Sequence, residues 1–101
     1  MSSEKYSLAG VDRTIHEPSR SIILAILSAV ESADFLYLLR ETGLTKGNLS
    51  VHLSKLEEAG YIRIEKTYRG KIPMTLCRLT ETGRRAFGTY REQLKMFVDN
   101  N

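Results

Sequence analysis

The sequence contains very little cysteine, proline or histidine, and these shortages exclude several classes of protein. Cys77 is the single cysteine of 101 residues, so an intrachain disulfide is excluded, and with two histidines beside it a structural metal site is not expected. The longest apolar run, residues 22–30, is far shorter than the roughly 20 residues of a membrane-spanning helix. No secretory signal is visible at the N-terminus. We therefore expect a cytoplasmic protein without a membrane partner or a cofactor.

The composition is that of a globular domain with a local concentration of positive charge. Hydrophobic residues make up 42% of the chain and charged residues 27%, and the length fits one modest core. We expect a single domain over residues 1–101, in which residues 1–10 form a loose N-terminal segment. The net charge of +3 is weak evidence for a nucleic-acid partner by itself. Its distribution is more informative, because Lys66, Arg69 and Lys71 lie within six residues that contain no acid.

Three amphipathic helices are predicted in the first sixty residues. Over residues 18–30 the apolar side chains recur at spacings of three and four. A second helix is predicted from an N-cap at Ser32 to Gly43, which can adopt the left-handed conformation that ends a helix. A third helix, residues 45–60, begins at a Thr45 cap. Its core face is predicted to be the stripe formed by Leu49, Leu53, Leu56 and Gly60.

The hydrophobic period changes after the third helix. Residues 61–68 and 72–79 alternate apolar and polar side chains, which predicts two strands. Gly70 lies between them, so we expect an antiparallel hairpin with a basic tip. A last helix is predicted over residues 80–98. The expected fold class is α+β and mostly α, with three helices, a hairpin of two or three strands and a long C-terminal helix.

Three stretches of the sequence resemble a known family. Residues 45–62, which read Thr-Lys-Gly-Asn-Leu-Ser-Val-His-Leu-Ser-Lys-Leu-Glu-Glu-Ala-Gly-Tyr-Ile, are similar to the recognition helix and following strand of MarR- and ArsR-type winged helix-turn-helix regulators. Residues 35–44 resemble the preceding helix and turn, and residues 79–84 the end of the wing. The resemblance covers about residues 15–90. It implies a winged helix-turn-helix regulator of transcription that binds double-stranded DNA, similar to the short stand-alone members of archaea and some bacteria.

The outward face of helix 45–60 is small and polar where such a protein meets the major groove. Glycine inside a helix costs up to about 1 kcal/mol relative to alanine, so helix stability does not explain Gly47. We expect this glycine to allow close approach to DNA, and the alternative is that it relieves crowding against a neighbouring helix. Asn48 can pair with an adenine edge, and Val51 can contact a thymine methyl group. The alternative for the polar residues is a merely solvated surface. The predicted DNA contacts of this helix are Thr45, Lys46, Gly47, Asn48, Ser50, Val51, Ser54 and Lys55.

The hairpin tip, residues 66–73, corresponds to the wing of these regulators. Wings reach the DNA backbone or the minor groove, where the negative potential favours arginine. Arg69 is the predicted minor-groove residue, and Lys66 and Lys71 are predicted to contact phosphates. The alternative is that these cations only keep an exposed strand edge soluble.

The last helix and the N-terminal segment are predicted to form a homodimer interface, because the related families pair through terminal helices. Four apolar residues recur at spacings of three and four, as in a coiled-coil seam. The predicted interface residues are Phe87, Tyr90, Leu94 and Phe97. The alternative is that this stripe folds back on the first helix of its own chain.

The sequence therefore predicts a homodimeric regulator with two recognition helices in successive major grooves. The rival hypothesis is a winged helix that serves as a protein-interaction module in a larger assembly, which would present an apolar or acidic face on the third helix. No phosphate loop or catalytic motif is recognisable, so an enzyme is not expected. Residues 35–41 contain no cysteine, which disfavours metal sensing of the ArsR type. His52 is expected to pack or to contact phosphate, and a small-molecule effector remains open.

Overall fold

The computed structural model describes residues 9–99, which form four helices and a three-stranded antiparallel sheet. The strand order in this sheet is β1-β3-β2. This architecture confirms the predicted winged-helix fold of the α+β class, and most of the predicted N-terminal segment lies outside the described residues. In chain order the elements are α1 (Pro18–Ser28), β1 (Ala33–Asp34), α2 (Phe35–Thr42), α3 (Lys46–Glu58), β2 (Ile62–Arg69), β3 (Ile72–Leu79) and α4 (Glu81–Asp99).

The ends of α2 and α3 follow from local sequence chemistry, with one exception. Gly43 ends α2 with a φ of 70°, and the Thr45 hydroxyl caps the first turn of α3, both as predicted. The predicted N-cap at Ser32 is wrong. Asp34 caps α2 instead, and its Oδ1 accepts a hydrogen bond from the Tyr37 N–H at 2.7 Å. The reason is that residues 33 and 34 first pair with β3 as a short strand, which moves the start of the helix along the chain.

The core lies between α1, the inner faces of α2 and α3, and one face of the sheet. Leu49, Leu53 and Leu56 of α3 are buried, as the predicted stripe requires. Gly60, the fourth predicted member, is exposed and lies beyond the end of α3 with a φ of 80°. Glycine tolerates this left-handed backbone without strain, so Gly60 serves the turn into β2 and not the core.

The first half of α4 packs onto its own chain. Phe87 and Tyr90 are only 7% and 6% exposed. The Tyr90 hydroxyl forms a hydrogen bond with His16 Nδ1 at 2.9 Å and accepts one from Ser21 Oγ at 3.5 Å. Phe87 and Tyr90 belong to the predicted dimer interface, and the single chain already buries both side chains, because this half of α4 lies against α1 and the segment before it. Leu94, farther along α4, is only partly buried.

The segment before α1 is joined to the start of the hairpin through Asp12. One carboxylate oxygen of Asp12 accepts hydrogen bonds from the backbone N–H groups of Thr14 and Ile15, at 2.9 and 3.2 Å. The other oxygen accepts the hydroxyl of Tyr61. This hydrogen bond, together with partial burial and the charge of Asp12, raises the pKa of Tyr61 to about 12.

We expect Tyr61→Phe to destabilise the protein by about 1 kcal/mol at pH 7, because it removes this hydrogen bond. Free tyrosine ionises near pH 10, whereas folded Tyr61 ionises near 12. The hydroxyl therefore contributes fully to the free energy of unfolding below about pH 10. This contribution is lost as the pH rises toward 12, because the unfolded state releases the hydroxyl proton at a lower pH than the folded state does. Urea unfolding of both proteins at pH 7 and pH 11 measures the difference. A stability difference that stays constant over this range would contradict the prediction.

Candidate nucleic-acid interface

One face of α3 is buried and the opposite face is open to solvent. All of the residues predicted to contact DNA from this helix, including its cap, are exposed. Val51 is 54% exposed, whereas the leucines of the same helix are buried. The first turn of α3 contains no acidic residue, so its N-terminal end, which carries the positive end of the helix dipole, is free of compensating carboxylates.

Gly47 is not required by packing within the protein. A Cβ atom built at this position would have no atom within 4 Å. Crowding against a neighbouring helix, the alternative explanation for this glycine, is therefore absent in the described part of the chain. The fold would therefore accept an alanine at this position.

The wing presents three cations at the end of a regular hairpin. β2 and β3 pair continuously from Ile62 opposite Leu79 to Arg69 opposite Ile72, and the two-residue loop contains Gly70 with a φ of 63°. Lys66, Arg69 and Lys71 are exposed. Within residues 9–99 none of the three forms an ion pair. Their charges are therefore available to an external anion.

α3 and the wing face each other across an open groove of about 400 Å³. Ser50 and Ser54 of α3 line one side, and Lys66 of the wing lines the other. Glu57 also lines this groove, and its position here could not be predicted from the sequence of α3 by itself. A carboxylate here repels phosphate but can accept a hydrogen bond from the amino group of cytosine.

The other flank of α3 is joined to α1 by a polar network. Arg20 Nη1 lies 3.1 Å from His52 Nδ1, and Glu17 Oε1 lies 3.8 Å from the same nitrogen. This network holds α3 against α1 and gives His52 the packing role expected for it. A shallow groove beside it brings Arg13, Arg20 and Lys55 together, and Glu58 lines the same groove. Arg13 and Arg20 are the basic residues that sequence reasoning missed, because only the fold brings them next to α3.

The arrangement offers little for metal or thiol chemistry. Among residues 9–99 there is no group of three or more His, Cys, Asp or Glu side chains that could hold a metal ion. Burial, with smaller contributions from the charges of Glu57 and Asp34, raises the pKa of Cys77 to about 11, so its thiol stays protonated at neutral pH. In the same part of the chain no helix is both long and apolar enough to cross a membrane.

A helix-turn-helix with an exposed polar face, followed by a basic hairpin, defines a winged-helix domain. The profile of the family described as "Winged helix DNA-binding domain" matches residues 20–98, and the chain belongs to this family. The family resemblance seen in the sequence is thereby confirmed. Membership implies that the protein binds DNA.

Three known proteins are similar to this chain in sequence or in fold. An uncharacterized protein of Methanocaldococcus jannaschii is 42% identical over 79 residues, which are 77% of this chain and 85% of that protein. The structure of a transcriptional regulator homologue from Pyrococcus horikoshii has a TM-score of 0.87 at 25% identity and covers 96% of both chains. A PadR family transcriptional regulator from Eggerthella lenta has a TM-score of 0.65 at 22% identity, covers 85% of this chain and 83% of its own, and shows the fold alone.

Proposed function

We propose that this protein is a homodimeric transcriptional regulator that recognises double-stranded DNA with α3 in the major groove and the wing on the neighbouring backbone or minor groove. The observation that carries the proposal is the exposed polar face of α3 beside a wing whose three cations form no ion pair with residues 9–99. An apolar or acidic face on α3 would instead favour a protein-interaction module. The residues on this face do not fit that alternative.

Different side chains of α3 are proposed to contact different chemical groups of the DNA. Asn48 can form two hydrogen bonds with adenine, and Val51 can contact the methyl group of thymine. Lys46 lies at the N-terminal end of the helix, where it reaches guanine or a phosphate. Gly47 lets the helix backbone approach the bases closely, which accounts for a glycine that packing does not require.

The wing supplies charge at the flank of the site. Arg69 at the end of β2 can enter the minor groove, and Lys66 and Lys71 can neutralise phosphates. On the opposite flank, Arg13 and Lys55 line a groove from which a second set of phosphates can be reached. Cations on both sides of α3 would hold the helix in register with the groove.

Binding to random-sequence duplex DNA across a salt series tests the proposal. We expect affinity to fall steeply with salt, and we expect Arg69→Ala and Lys71→Ala each to reduce the salt slope by about one unit, because each removes one positive charge that displaces counterions from the DNA. Lys95→Ala, which removes the same charge from the second half of α4, should leave the slope unchanged. If a folded protein shows no binding even at low salt, the regulator hypothesis fails and the protein-interaction module replaces it.

The second half of α4 is proposed as the dimer interface, continued by the N-terminal segment. α4 runs for 19 residues, and beyond Tyr90 it carries the partly exposed side chains of Leu94 and Phe97. Two such helices from two chains can cover each other, and a dimer would present two α3 helices to successive major grooves.

Sedimentation equilibrium measures this assembly directly. We expect twice the mass of one chain for the natural protein, and a shift toward the monomer for Phe97→Asp, because the substitution would place a charge in an apolar interface. Lys95→Asp, a charge reversal on the exposed side of the same turn, should remain dimeric. A natural protein that sediments as a monomer would rule out the homodimer.

A further inference from the structure

A second groove runs beside β3, from the start of α2 to the end of the wing, and no residue of α3 lines it. It has a volume of about 400 Å³ and is formed by the start of α2 and the end of the wing. Leu36 and Ile72 on its walls are 65% and 66% exposed, which is high for large aliphatic side chains. Phe35, Pro73 and Met74 complete a mostly apolar lining. The volume lies within the range of about 300 to 1,000 Å³ that is usual for small-molecule sites.

The backbone beside this groove favours a small molecule over a peptide. β1 covers the edge of β3 only at Leu76 and Cys77, so the edge beyond these residues has no neighbouring strand from β1. Proline has no N–H group, and Pro73 therefore interrupts the donors that an added strand would need. A peptide that binds by strand addition would find too few partners here.

The charges around the groove select an anion. Arg69 lines it, and among the described residues the guanidinium has no ion pair. Asp34 also lines it, but its carboxylate is occupied as the N-cap of α2, where it accepts the Tyr37 N–H at 2.7 Å. The positive end of the α2 dipole offsets this negative charge. The charge left without a partner is that of Arg69.

We propose that this groove binds a small apolar molecule with one negative charge, such as a medium-chain carboxylate, and that this ligand competes with DNA for Arg69. The apolar body would lie between Leu36 and Ile72, and the carboxylate would pair with the guanidinium. The regulatory part of this inference rests on the proposed function, in which Arg69 contacts DNA. Ligand binding itself does not depend on it.

The binding site is tested without DNA, by a ¹H–¹⁵N NMR titration of the full chain with sodium octanoate. We expect the largest shift changes at residues 34–36 and 69–75. Arg69→Gln should weaken binding about fivefold, since it removes the charge partner, and Leu36→Ser should weaken it by a similar factor. Lys71→Gln and Val30→Ser are the matched controls outside the groove and should bind octanoate as the natural protein does. The uncharged analogue 1-octanol should bind more weakly.

Two outcomes of this titration would overturn the site. The first is that the residues around the groove show no shift changes, either because no residue of the protein shifts or because the changes are confined to another surface such as α4. The second is binding that Arg69→Gln and Leu36→Ser leave unchanged.

Competition is tested separately, by fluorescence anisotropy of labelled duplex DNA with and without octanoate. We expect octanoate to weaken DNA binding by the natural protein and to have much less effect on Leu36→Ser. If octanoate occupies the groove and DNA affinity does not change, competition for Arg69 is wrong while the site stands. If octanoate binds to a protein that shows no DNA binding at low salt, the proposed function fails and the ligand site is retained.

Discussion

Replacing Gly83 with alanine is expected to destabilise the folded protein by about 3 kcal/mol or more. Gly83 lies buried in the first turn of α4, and a Cβ atom there would lie 2.0 Å from the carbonyl oxygen of Tyr61 and 2.8 Å from its carbonyl carbon. The Tyr61 oxygen is held in place because it accepts the Thr80 N–H at 3.0 Å. A methyl group therefore forces α4 away from the start of the hairpin.

Gly88→Ala on the same helix is the matched control. A Cβ at Gly88 has no atom within 4 Å, so the substitution should stabilise the protein by up to about 1 kcal/mol through helix propensity. Urea unfolding of the two variants and the natural protein measures both changes. If the two substitutions changed the stability by similar amounts, the close contact between α4 and Tyr61 would not be the reason that residue 83 must be glycine.

Replacing Val51 with glutamate is expected to lower DNA affinity by about 100-fold or more. Val51 lies in the middle of α3 and is 54% exposed, so the fold should accept a charged side chain there. In the proposed complex the carboxylate would enter the major groove and remain near the phosphates, and the contact with a thymine methyl would be lost. Anisotropy with a duplex operator or random-sequence DNA measures the loss, and urea unfolding checks that stability is retained.

Val30→Glu separates this local effect from a general effect of charge. Val30 follows the end of α1, outside the proposed interface, and it receives the same change in charge. Its DNA affinity should stay within about twofold of the natural protein. If both variants lost the same DNA affinity, the cause would be long-range repulsion between the added charge and the DNA, and not the insertion of α3 into the major groove. Unchanged affinity for Val51→Glu would remove α3 from the interface.

Much of the fold could be predicted because local patterns dominate it. The leucine spacing of α3 and the change to alternating side chains after it are both signals within a few residues. β1 could not be predicted, since two residues, Ala33 and Asp34, carry no periodicity and become a strand only because β3 lies beside them. The wrong N-cap of α2 follows from the same missing strand.

The candidate site could be predicted in part, since a helical wheel separates the exposed face of α3 from its core face. Such a wheel cannot show which molecule, or which part of the same chain, each face contacts. The spacing of Phe87 and Tyr90 shows correctly that each needs an apolar partner, but not that the partner belongs to the same chain. Arg13 and Arg20 were missed for a related reason, because more than twenty residues separate each of them from the helix beside which they lie.

The short strand β1 also determines how much of the wing is held by the rest of the fold. It fixes β3 at Ala33 opposite Cys77 and Asp34 opposite Leu76, and four residue pairs of the hairpin continue beyond this point. At about 3.4 Å per residue, the part of the hairpin beyond β1 is roughly 14 Å long, and it would pivot next to α2. A small rotation at this pivot becomes a displacement of several ångströms at Arg69. We therefore expect the tip of the wing to change position more readily than the helices do, and in the proposed complex this would let its reach adjust to the width of the DNA groove.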